Sequence, residues 1–93
     1  MIRSYRDKRT QRLAEGERVP AFEGFRHQAE KRLRVFESTA ALKDLAQLRS
    51  NRLEALSGDR QGQYSIRINR QWRLCFEWPA SGGPENLEVV DYR

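Results

Sequence analysis

Cysteine, histidine and methionine occur once each among the 93 residues, and proline three times. The single cysteine, Cys75, excludes an intrachain disulfide. His27 and Cys75 lie far apart in sequence, with no close cluster of carboxylates. Structural zinc needs four N or S ligands and a catalytic site about three, so neither a metal nor a cofactor is expected. No run of about eighteen apolar residues is present, which leaves no candidate membrane helix. The opening "MIRSYRDKRTQR" is charged from its third residue and lacks an apolar core, so an ordinary secretory signal is not expected either. These absences point to a reducing cytoplasm. The length suits a single domain over residues 1–93, and there are no repeats, linkers or low-complexity segments.

What is abundant is arginine. Fifteen of the eighteen cations are arginine, and the formal net charge is +5. Residues 1–36 hold ten Lys/Arg against five Asp/Glu, and residues 37–93 hold eight of each. The guanidinium fork matches phosphate and stacks on bases, which suits nucleic acid. A GC-rich genome raises arginine everywhere and explains the composition equally well.

"MIRSY" alternates apolar and polar residues and reads as a short first strand. Asp7 can cap a two-turn helix that Gly16 ends. Between Pro20 and Ser38, Phe22, Phe25, Ala29, Leu33 and Phe36 recur three and four apart, which predicts one long helix with an apolar stripe. Arg26, Glu30 and Arg34 follow at compatible spacing on its other face. His27 stands between Glu23 and Lys31 and reads as a solvated surface histidine. Thr39 can cap a further short helix with Ala41, Leu42, Leu45 and Leu48 inward, and the helical half ends near Ser50-Asn51.

From there the period changes to two. "YSIRIN" places Tyr64, Ile66 and Ile68 on one face, and "WRLCFEW" places Trp72, Leu74, Phe76 and Trp78 on one face. Only Arg70 and Gln71 separate the runs, and Asn69 tolerates a left-handed backbone, which predicts a tight antiparallel hairpin. "PASGGPEN" is a loop, and "LEVVDY" returns as the last strand. The order predicts an α+β fold, a mainly antiparallel sheet with helices packed on one face. The other face, carrying Arg67, Arg73 and Glu77, is expected to stay open for water or a ligand.

Residues 56–78, "LSGDRQGQYSIRINRQWRLCFEW", carry the most information. Gly58 and Gly62 bracket Asp59-Arg60, either as a shaped loop delivering Arg60 to the mouth of the sheet or as a plain surface turn. Arg67 and Arg73 approach from the hairpin, and Asp91-Tyr92-Arg93 can approach from the last strand. Strict alternation sets Asp91 opposite Tyr92, so either the strand bends at its end or one of the two reaches the site. Arg73 can alternatively pair with Glu77 on its own strand. Cys75 has neither a nearby histidine nor a helix N-terminus to activate it, so a nucleophilic thiol is not expected.

The run "RLEALSGDRQGQYSIRINRQWRLCFEW", the final "VVDYR", the opening "MIRSY" and "TAALKDL" together resemble the HigB (plasmid maintenance killer protein) branch of the RelE-like toxins. The likeness covers nearly the whole chain. It implies the compact RelE-like fold and a ribosome-dependent endoribonuclease that cuts translated mRNA. It also implies neutralisation by a HigA-like antitoxin with a helix-turn-helix fold.

Metal-free RNA cleavage has the 2′-hydroxyl attack the neighbouring phosphate, leaving a cyclic phosphate and a 5′-hydroxyl. It needs a base, cations for the developing charge and an acid. Arg60, Arg67 and Arg73 are the phosphate-binding candidates. Asp91, Tyr92 and Glu54 are the acid–base candidates, Glu54 standing where some relatives carry a histidine; Glu54 can equally be an ordinary loop carboxylate. Relatives commonly end "DYH", with the last histidine catalytic, and here that residue is Arg93. A guanidinium cannot shuttle a proton near neutral pH, so attenuated cleavage is expected. The rival functions are a superfamily toxin that binds DNA gyrase without cutting RNA, a basic RNA- or DNA-binding module without activity, and a toxin that engages antitoxin and ribosome but barely cuts.

Overall fold

A computed structural model describes residues 1–80 and 82–92 of the chain. Helix α1 (Lys8–Ala14) starts where expected: the Asp7 carboxylate accepts from the Thr10 amide at 3.1 Å. Gly16, at φ +87°, follows its end. The long helix predicted from Pro20 to Ser38 is two pieces, a 3₁₀ turn (Pro20–Phe25) and α2 (Arg26–Ser38). The threefold pitch of the turn sets Phe22 and Phe25 side by side, their rings 5.8 and 4.8 Å from that of Trp72. The apolar stripe survives the break, since Phe22, Phe25, Ala29, Leu33 and Phe36 are all buried.

Helix α3 (Leu42–Ala46) buries Leu45, but its cap residue is Ala41 rather than Thr39. The Thr39 hydroxyl instead donates to the Val35 carbonyl at 2.6 Å, closing α2. Leu48, expected inward, lies beyond the helix end and is exposed.

The sheet is an antiparallel meander, β1 (Glu54–Ala55), β2 (Tyr64–Arg67), β3 (Trp72–Glu77) and β4 (Glu85–Asp91), in the order β1-β2-β3-β4. The two-residue β1 is too short for any period to announce it. Tyr64 faces Phe76 and Ile66 faces Leu74, the register that alternation requires. Asn69 closes the β2–β3 turn with its side chain, whose oxygen accepts from the Gln71 and Trp72 amides at 2.9 and 2.8 Å. Among the described residues the non-glycine ones with positive φ are Arg52 and Asn86, not Asn69. The "MIRSY" segment makes one parallel bridge, Tyr5 to Leu87. Backbone bonds from the Arg3 amide to Pro84 and from the Arg6 amide to Leu87, each 2.8 Å, bind it along the free edge of β4.

Helices and sheet share one core on the face of Ile66, Leu74, Phe76, Leu87 and Val89. Thr10 of α1 fastens the layers, its hydroxyl accepting from the Val89 amide at 3.0 Å. The opposite face is not open across its width. Ser65, Cys75 and Arg73 at its centre are buried: Arg73 bonds to Ser65, the Tyr92 ring lies against Arg73, and Arg60 bonds across to Glu88.

Candidate functional site

Register builds this face in rows. Glu54, Ser65, Cys75 and Glu88 are successive cross-strand partners, and so are Arg67, Arg73 and Val90. Cross-strand partners point to the same side, so one surface collects Glu54, Arg67, Arg73 and Glu88.

Arg73 occupies its middle. Its Nε donates to the Ser65 hydroxyl at 2.7 Å, and its Nη2 donates to the Arg52 carbonyl at 2.6 Å. Nη1 lies 3.8 Å from the Glu54 carboxylate. The Tyr92 ring covers the guanidinium, 5.6 Å from Cζ to ring centre. Arg73 therefore pairs with Glu54, not with Glu77 along its own strand; Glu77 takes Arg6 at 3.1 Å.

Arg60 reaches the same face from the loop between β1 and β2. Gly58 and Gly62 carry the positive φ that shapes this loop, and Gly58–Arg60 forms a 3₁₀ turn. Arg60 Nη1 donates to Glu88 at 3.2 Å and to Gln63 at 3.0 Å. Glu88 is also 3.8 Å from Arg6. The face is thus a lattice of alternating charge rather than uniformly basic. Burial pushes the Cys75 thiol up despite the opposing pull of Arg60 and Arg73, which keeps it protonated and unreactive near neutral pH.

Glu54, Arg60, Arg73 and Tyr92 are thus brought to one surface. Arg67 shares it as the cross-strand partner of Arg73, its Nε donating to the Asn69 carbonyl at 3.2 Å. Asp91 does not join them: it pairs with Trp72 in the register, and Gln71 Nε2 donates to its carboxylate at 3.0 Å. Past the irregularity near Asn86 the pairing runs in step from Glu88 to Asp91, and the Tyr92 side chain reaches Arg73. Arg93 lies outside the described residues.

Sequence reading missed Arg6, Ser65 and Glu88. Alternation from Arg67 and Tyr92 puts Ser65 and Glu88 on this side, so both were accessible to it. Arg52, which contributes a carbonyl through a left-handed turn at φ 47°, had no sequence signal. A cleft of about 270 Å³ lies elsewhere, between the N-terminal segment, α1 and α2, with Tyr5, Leu33 and Glu37 on its walls. Among the described residues, none of the candidates lines it.

Over residues 3–93 the chain matches the model of a family described as "RelE-like toxin of type II toxin-antitoxin system HigB". Over 48 residues it is 40% identical to Toxin HigB-1 of Vibrio cholerae serotype O1 (strain ATCC 39315 / El Tor Inaba N16961). That stretch covers 52% of this chain and spans about half, 50%, of the curated relative.

Proposed function

The chain belongs to the RelE-like toxins of type II toxin–antitoxin systems, in the HigB branch, and on that premise we propose that it is a metal-independent endoribonuclease that cuts mRNA during translation. The observation that carries this reading is the convergence of Arg73, Tyr92 and the Glu54 carboxylate on one sheet face, with Arg60 alongside. A base, an acid and a cation are what 2′-hydroxyl attack demands.

In this mechanism Glu54 takes the 2′-hydroxyl proton as that oxygen bonds to phosphorus. The P–O5′ bond breaks, and the Tyr92 hydroxyl returns a proton to the leaving O5′. Arg73, through its Nη1 edge, and Arg60 stabilise the phosphorane charge, and Arg67 holds a flanking phosphate. Asp91 keeps the strand end in place through Gln71 and acts on the proton transfers indirectly. Arg93, at the place of the relatives' histidine, adds charge stabilisation without proton transfer, which attenuates the rate. The protein's setting is cytoplasmic, with the ribosome supplying mRNA and a HigA-like helix-turn-helix antitoxin restraining the toxin.

Primer-extension mapping of mRNA translated in the presence of the chain tests the reading. Cuts confined to translated regions and dependent on ribosomes support it. Intact mRNA beside inhibited gyrase on plasmid DNA would replace it with the gyrase-type alternative.

A further inference from the structure

We propose that Ser65 is a positioning residue for Arg73, setting which edge of the guanidinium is offered to an RNA phosphate. This inference rests on the endoribonuclease reading above.

A guanidinium carries five N–H donors in one plane. In Arg73, Nε is taken by the Ser65 hydroxyl at 2.7 Å, and Nη2 by the Arg52 carbonyl at 2.6 Å and the Ser65 carbonyl at 3.4 Å. The Nε–Nη2 edge, which could otherwise grip two oxygens side by side, therefore faces the protein. The edge bearing Nη1 is left toward Glu54, and the Tyr92 ring closes one face of the plane.

Ser65 is fully buried and Arg73 nearly so. The hydroxyl thus acts where water cannot substitute for it. Without Oγ, Nε would be a buried donor lacking its partner, an arrangement that is strongly disfavoured. The guanidinium would turn to satisfy it and carry the Nη1 edge out of line with Glu54 and Tyr92. Displacements of about 1 Å at such a site cost up to about a hundredfold in rate.

The full-length chain with ¹⁵N-labelled arginine gives two readouts, Nε–H exchange by NMR and cleavage kinetics on translated mRNA. The wild type should show a slowly exchanging Nε–H resonance that Arg73→Lys removes. Ser65→Ala should lose that protection and drop kcat about tenfold or more with KM little changed. Ser65→Thr, which keeps the hydroxyl, should restore both. Ser65→Cys keeps the volume with only a weak acceptor and carries the same test if the alanine variant does not fold. Undiminished kcat in the folded variant, or lost kcat with the resonance still protected, would overturn the inference. A wild-type chain that shows the protected resonance but cuts no translated mRNA would overturn the endoribonuclease reading, and this inference with it.

Discussion

The ring of Tyr92 lies over the guanidinium of Arg73, 5.6 Å from Cζ to ring centre, and joins the end of β4 to the middle of the sheet. Tyr92 is 44% exposed whereas Arg73 is 8% exposed, so the phenol faces solvent and the cation supports it from below. The ring can be held by the cation–π contact, worth about 0.5–2 kcal/mol, while the hydroxyl stays available for chemistry.

That division of labour separates two variants. Tyr92→Phe keeps the ring over Arg73 and loses the hydroxyl, so cleavage should fall on the order of 10²-fold with stability unchanged. Asp91→Asn keeps an oxygen to accept from Gln71 and should lose less. Single-turnover cleavage of translated mRNA measures both. The reverse order would transfer the proton-moving role from the phenol to the carboxylate.

Arg73→Lys should be nearly as damaging as Arg73→Ala. An ammonium keeps the charge but cannot meet the Ser65 hydroxyl, the Arg52 carbonyl and a phosphate in one plane. Both variants should cut on the order of 10²-fold more slowly and lose roughly 1–3 kcal/mol of stability through the unpaired buried oxygens. Urea midpoints and cleavage rates check the two effects. A lysine variant with most of its activity would show that charge alone matters.

Strands β2, β3 and β4 and the helical stripe were legible because burial imposes a period, whereas the strand expected at "MIRSY" is a single bridge. Phe22, Phe25, Ala29, Leu33 and Phe36 announced themselves at three- and four-residue spacing, and Tyr64, Ile66, Leu74 and Phe76 by alternation. The break at Phe25 was not legible, because a 3₁₀ turn and an α-helix share much of that spacing. Arg73, Arg60 and Tyr92 were put forward from side-chain chemistry and loop shape, and they lie on one face of the sheet. The partners that decide what Arg73 can do were not: the Arg52 carbonyl depends on one left-handed residue, and Glu54 meets Arg73 only through a two-residue strand. The open basic face failed as an expectation because charge composition does not say which carboxylates fold over which arginines. Glu88 lies on the same face, between Arg6 and Arg60.

Arg52 tests the left-handed turn. A non-glycine residue at φ 47° carries about 1 kcal/mol of strain, which glycine relieves while its unfolded chain regains about 0.4–1 kcal/mol of freedom. Arg52→Gly should therefore leave stability within about 0.5 kcal/mol of wild type, and Arg52→Val should lose more than about 1 kcal/mol. Chemical denaturation measures both, and a stable valine variant would show the turn to be plastic.

Glu88 shares one carboxylate between Arg60 and Arg6, at 3.2 and 3.8 Å. Glu88→Gln removes that charge and releases two cations on the proposed RNA face. Affinity for single-stranded RNA should rise severalfold, and the plot of log affinity against log salt should steepen by about 0.7 per newly engaged phosphate. Stability should change by less than about 1 kcal/mol, as is usual for partly exposed pairs. Fluorescence anisotropy at several salt concentrations reads the slope; an unchanged slope would place Arg60 off the RNA path.

Residue 93 gives the remaining test, since the proposed mechanism gives Arg93 only charge stabilisation where the resemblance implies a proton-transferring histidine. Imidazole can accept and return a proton near neutral pH, and a guanidinium only stabilises charge. General acid–base catalysis is worth about 10²–10⁴-fold, so Arg93→His should raise cleavage of translated mRNA at least about tenfold. The rate should also acquire an inflection near pH 6.5, about the ordinary histidine pKa, that the arginine form lacks. If the histidine variant cuts no faster and shows the same pH profile, residue 93 takes no part in proton transfer, and Glu54 and Tyr92 must carry both halves of the reaction.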